Sequence, residues 1–143
     1  MFTTFLEKWQ QSFIVFFTDL GYYFIYLNYI WKDIYGIMIK EITSTEFKET
    51  LAATDKLFLV DFFTEWCSQS KAMSPVISQI LMEYKKDVTI NRLNIEKYPD
   101  IALEYRVLSI PTILVFKNGS LSGRIEGVVT KSAIEQKLKK YLS

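Results

Sequence analysis

Leu57 to Pro75 constrains this chain more than any other stretch, and it reads LFLVDFFTEWCSQSKAMSP. Leu57 to Phe63 is apolar and aromatic apart from Asp61. The run is short enough for a strand and apolar enough for one covered on both faces. Trp66 and Cys67 follow, then a segment with helical spacing that starts near Ser70. A cysteine at a strand-to-helix junction meets free backbone N–H groups and the positive end of the helix dipole, and both favour a thiolate. Cys67 is therefore the candidate nucleophile; the alternative is a small apolar residue that packs and stays inert. Ser70, one helical turn on, can donate a hydrogen bond to the thiolate but cannot displace a bound substrate.

The rest of the composition narrows the chemistry. Cys67 is the only cysteine, so neither an internal disulfide nor a cysteine-ligated metal site is available, and two-cysteine reductase chemistry is excluded by arithmetic. A reducing compartment is the natural setting. With no histidine, the commonest general base and metal ligand are missing. Nothing in the chain calls for a cofactor or a metal. A net charge of +1 gives no reason to expect a nucleic-acid partner. At 143 residues and 50% hydrophobic content, the chain suffices for one domain with a real core plus an appendage.

The appendage comes first. Residues 12–31 read SFIVFFTDLGYYFIYLNYIW, with Asp19 as the only charge and Lys8, Trp9, Trp31 and Lys32 as flanking interfacial anchors. Twenty helical residues span about 30 Å, the thickness of a bilayer's hydrocarbon core. Asp19, Asn28, Gly21 and the tyrosines weaken a spanning helix, and a central Asp alone costs about 2.5–3.5 kcal/mol. The other readings are an aromatic helix lying on a membrane or against a partner protein, and a removed targeting peptide. The last lacks a small-residue cleavage site and an arginine-rich composition, since the first alanine is Ala52 and the first arginine Arg92.

From Met38 on, the pattern is that of a folded domain. Ile37, Ile39 and Ile42 suggest a short first strand. Thr43 and Glu46 have capping-box spacing ahead of a helix that carries Phe47 and Leu51. After the strand Leu57–Phe63, a helix from about Ser70 to Tyr84 buries Met73, Val76, Ile77, Ile80 and Leu81, with Pro75 expected to kink it. Val88–Leu93 reads as a strand and Pro99–Tyr105 as a short helix. Thr112–Lys117 and Ser122–Val128 are strands joined at Asn118-Gly119. Thr130 or Ser132 starts a last helix with Ile134, Leu138 and Tyr141 facing inward. The order β-α-β-α-β-α-β-β-α predicts an α/β fold, a mixed central sheet with helices on both faces.

Several of these motifs together resemble the thioredoxin family. Asp61, Trp66, Cys67, Lys71 and Pro75 fall on positions of that family's Trp-Cys-Gly-Pro-Cys region, with Ser68, Gln69 and Ser70 in place of the Gly, the Pro and the resolving Cys. Ile110-Pro111-Thr112 is similar to its cis-proline loop, Phe116-Lys117-Asn118-Gly119 to its hairpin turn, and Gly127 to the glycine after its last strand. The resemblance covers roughly Ile39 to Ser143 and implies a thioredoxin-like domain at 38–143 after an N-terminal hydrophobic helix in 1–37. It implies that Asp61 is a buried carboxylate near Arg92; with the resolving cysteine gone it reads as a core polar pair, the alternative being a catalytic role beside Cys67. It also implies a peptide groove rimmed by Trp66, Ile110, Pro111, Gly127 and Val128.

Two functions follow. The first is a membrane-attached docking or assembly subunit of a membrane protein complex. It is held through residues 12–31 and meets a protein partner at the Trp66/Cys67/Pro111 surface. The alternative is a monothiol thiol–disulfide oxidoreductase that uses Cys67 with an external thiol. The likeness is to plastid and bacterial members, which implies a plastid membrane (thylakoid, stromal side) or a bacterial one.

Overall fold

The computed structural model describes residues 39–143. The expectations for residues 1–38, including the helix at 12–31, lie outside the described residues. Among the described residues no helix is long and apolar enough to cross a membrane.

Among the described residues nine elements follow in the expected order: β1 (Lys40–Glu41), α1 (Ser44–Ala53), β2 (Leu57–Phe63), α2 (Ser68–Tyr84), β3 (Val88–Asn94), α3 (Pro99–Glu104), β4 (Thr112–Lys117), β5 (Ser120–Glu126) and α4 (Lys131–Leu142). The sheet order is β1-β3-β2-β4-β5. β2 pairs parallel with β3 and antiparallel with β4. That central position explains why all seven of its residues are buried. Leu57 and Leu59 pack under Met73, Ile77 and Ile80 of α2 and Ile134 and Leu138 of α4. Phe58, Val60 and Phe62 point the other way, to Phe47 of α1 and Ile101 of α3. An apolar run without alternation is what a strand sandwiched between two helical layers requires.

Asp61 breaks that run at a defined place. By alternation it lies on the face of Leu57 and Leu59, and the parallel register sets it opposite Arg92 of β3. Charge is thus matched by charge across two neighbouring strands, at the one polar position of an otherwise apolar β2.

Several boundaries moved for physical reasons. α2 begins at Ser68 rather than near Ser70 because Cys67 caps it, and the helix continues through Pro75. β5 starts at Ser120, two residues early, because Asn118 (φ 51°) and Gly119 (φ 76°) form the tight left-handed turn that lets Lys117 pair directly with Ser120. It stops at Glu126 because Gly127 adopts φ 78°, which is incompatible with a strand. β1 is only Lys40–Glu41, while Ile42 turns inward at 2% exposure. Thr43 makes the expected capping box with Glu46.

Candidate functional site

Three segments converge at one end of the sheet. β2 and β4 pair through Phe62 and Thr112, and β4 and β5 pair through Thr112 and Glu126. Cys67 lies four residues beyond the end of β2, Pro111 immediately before β4, and Gly127 immediately after β5. The antiparallel register therefore brings Cys67, the proline loop and the glycine to the same rim. Gly127 N–H donates to Pro111 O at 2.9 Å, and Val129 N–H donates to Met73 Sδ at 3.4 Å, tying the third segment to the other two elements. The Ile110–Pro111 peptide bond is cis.

Cys67 is the N-cap of α2. Its backbone is extended (φ −78°, ψ 110°), and its sulfur accepts the Ser70 N–H at 3.5 Å. Its own carbonyl accepts the Lys71 N–H, which opens the helix at 3.1 Å. A sulfur thus does the work that a serine or aspartate oxygen does at an ordinary N-cap, and an anion there is favoured by the helix dipole. The thiol is held below its ordinary value by the Ser70 hydroxyl first and the Ser70 N–H second, with Gln69 N–H assisting and burial opposing. Ser70 Oγ is buried and makes no hydrogen bond of settled geometry. Its O–H is therefore free to turn to the sulfur when the sulfur carries charge. Cys67 retains 9% of its surface, so the sulfur is largely covered without being sealed.

Asp61 lies beneath this rim, with no exposed surface. Arg92 Nε donates to its Oδ2 at 3.0 Å, and the guanidinium stacks 3.9 Å from the centre of the Phe63 ring. Burial outweighs the guanidinium and pushes the carboxyl up to about 6. Oδ1 has no partner, and Thr64 Oγ1 and Ser70 Oγ share that condition among buried polar atoms.

The rim itself is apolar. Trp66 is 69% exposed and Val128 55%, Ile110 is half-buried, and Pro111 is buried. Two rim features carry no signal in the sequence. Glu96 accepts the Trp66 indole N–H at 2.8 Å and fixes the ring, although 30 residues separate the pair. Leu108 is 92% exposed beside the proline loop. Among the described residues no cluster of His, Cys, Asp and Glu could hold a metal ion.

The thioredoxin family model matches residues 38–140. The chain belongs to the thioredoxin family. It is 36% identical over 105 residues to thioredoxin of Porphyra purpurea, a match covering 73% of this chain and 98% of that one. It is 35% identical over 105 residues to the chloroplastic thioredoxin M-type of Spinacia oleracea, covering 73% of this chain and 58% of that one. Among solved structures, oxidised mitochondrial thioredoxin 3 of Saccharomyces cerevisiae superposes with a TM-score of 0.65 at 32% identity, over 71% of this chain and 94% of that one.

Proposed function

We propose that the domain is a monothiol disulfide exchanger. The observation that carries this reading is the sulfur of Cys67 at the helix N-cap, within reach of Ser70 N–H and its unpartnered hydroxyl. The Cys67 thiolate attacks one sulfur of a substrate disulfide. A Cys67–substrate disulfide forms, and the other sulfur leaves as a thiolate that takes a proton from water. A thioredoxin with two cysteines would expel the substrate from within. Here residue 70 is a serine and the chain has 1 cysteine, so the mixed disulfide waits for an external thiol such as glutathione. An extended substrate segment can pair with backbone beside the cis proline while its side chains meet Trp66, Ile110 and Val128.

The test is reaction of the full chain with a disulfide-containing peptide at neutral pH. A one-to-one adduct on Cys67 that persists until reduced glutathione is added supports the reading. A thiol that stays free while cysteine in solution reacts refutes it.

The exposure of Trp66, Leu108 and Val128 favours a second reading, a docking module for a protein partner. On that reading the aromatic residues 12–31 attach the protein to a membrane or to a membrane complex. The chloroplastic relatives support a plastid setting. Cys67→Ala separates the two readings on a native gel of solubilised membranes. Unchanged co-migration with a large complex favours docking, and loss of the partner favours exchange.

A further inference from the structure

The buried Ser70 hydroxyl, which helps to hold the Cys67 thiol below its ordinary value, can serve a second reaction besides disulfide exchange. Ser70 has no exposed surface, its Oγ has no partner, and its N–H already donates to Cys67 Sγ at 3.5 Å. Two donors are therefore arranged around one sulfur. They suit a product that gains one oxygen atom at this position and can keep both hydrogen bonds. Access points the same way: with 9% of the residue's surface open, a reagent little larger than water meets less obstruction than a protein disulfide does.

We infer that Cys67 is also a hydroperoxide-reactive centre whose sulfenic acid is held by the hydroxyl and the backbone N–H of Ser70. The thiolate attacks one oxygen of hydrogen peroxide, the S–O bond forms as the O–O bond breaks, and the hydroxide that leaves is neutralised to water by the proton the thiol released on ionising. Sulfur is oxidised by two electrons and peroxide is reduced to water. In many proteins a neighbouring thiol then consumes the sulfenic acid. This chain has 1 cysteine, so none is available within it. The sulfenic acid instead persists until glutathione condenses with it, forming a Cys67–glutathione disulfide and releasing water. A second glutathione attacks that disulfide, restores the thiol and leaves as glutathione disulfide. The cycle shares its thiolate with disulfide exchange but needs no disulfide substrate, so either activity can fail while the other stands.

The experiment treats the full chain with hydrogen peroxide, removes the excess with catalase, and traps sulfenic acid with dimedone for intact-mass analysis. The expected result is a lasting adduct on Cys67 that forms faster than in the same chain unfolded in urea. In Ser70→Ala the rate falls by about tenfold, the worth of one hydrogen bond to a charged group. Ser70→Cys keeps the size of the side chain and gives an internal disulfide with no adduct, because residue 70 faces the sulfur. The inference is overturned by a folded chain that reacts no faster than the unfolded one. It is overturned equally by a Ser70→Ala variant matching the wild type in rate and persistence, or by Ser70→Cys yielding no internal disulfide. Exchange with glutathione disulfide, measured on the same samples, is read separately.

Discussion

Asp61→Asn isolates the energetic cost of a charge in the core. The carboxyl has no exposed surface, one ion pair with Arg92 at 3.0 Å, and an unpartnered Oδ1. Burial lifts it from an ordinary 3.8 to about 6. An acid raised above its unfolded value holds its proton more tightly in the folded state. Below about pH 4 both states are protonated and the group is neutral in effect. As pH rises from about 4 to 6, stability is lost, and above that the deficit is constant. A rise of about two units at about 1.4 kcal/mol each is roughly 3 kcal/mol. Asparagine cannot ionise, and the value of about 6 already includes the Arg92 pairing, so the variant recovers up to that amount, a gain of about 1–3 kcal/mol at pH 8. At about 1–3 kcal/mol per molar urea, the unfolding midpoint moves up by about 1 M. Urea titrations of both proteins at a series of pH values follow the difference, which opens between pH 4 and 6. A difference that is the same at pH 4 and pH 8, or a variant weaker than the wild type at pH 8, refutes the reasoning.

Ser70→Cys restores the position of a resolving thiol, and in a single turnover without added thiol it is expected to release the reduced peptide and close an internal disulfide, where the wild type stalls as an adduct. Arg124 donates to Arg106 O at 2.8 Å and to Tyr105 O at 2.6 Å, closing the end of α3 just ahead of the proline loop. Arg124→Ala is expected to cost about 1–3 kcal/mol in thermal or urea unfolding and to speed hydrogen exchange in residues 105–110. Thr43→Ala removes one side of the capping box and is expected to lower stability by about 1 kcal/mol, with Cys67 reactivity unchanged.

The sequence shows the parts of this domain that obey local rules. Leu57–Phe63 suits a doubly covered strand, Thr43 and Glu46 have the spacing of a capped helix, and Asn118-Gly119 announces a tight hairpin. The cluster around Cys67 is legible because chain order carries it: a strand, a cysteine and a helix in succession. Long-range choices are not. Nothing in Glu96 shows that it will receive the Trp66 indole, and nothing in Arg124 shows that it will hold two carbonyls of a distant loop. β1 misled because the isoleucine spacing around it reflects where Ile42 enters the core, while the pairing residues Lys40 and Glu41 are exposed at the sheet edge. α2 starts two residues before the expected position because sulfur is not an ordinary capping atom.

The central claim is that Cys67 is a primed thiolate, and the pH dependence of its alkylation tests that most directly. The rate of reaction of the full chain with iodoacetamide is followed from acidic to alkaline pH, beside the same chain unfolded in urea. The account predicts a folded midpoint clearly below the unfolded one, moving back toward it in Ser70→Ala, because the Ser70 hydroxyl is the largest cause of the lowering. A folded midpoint at or above that of the unfolded chain would contradict it.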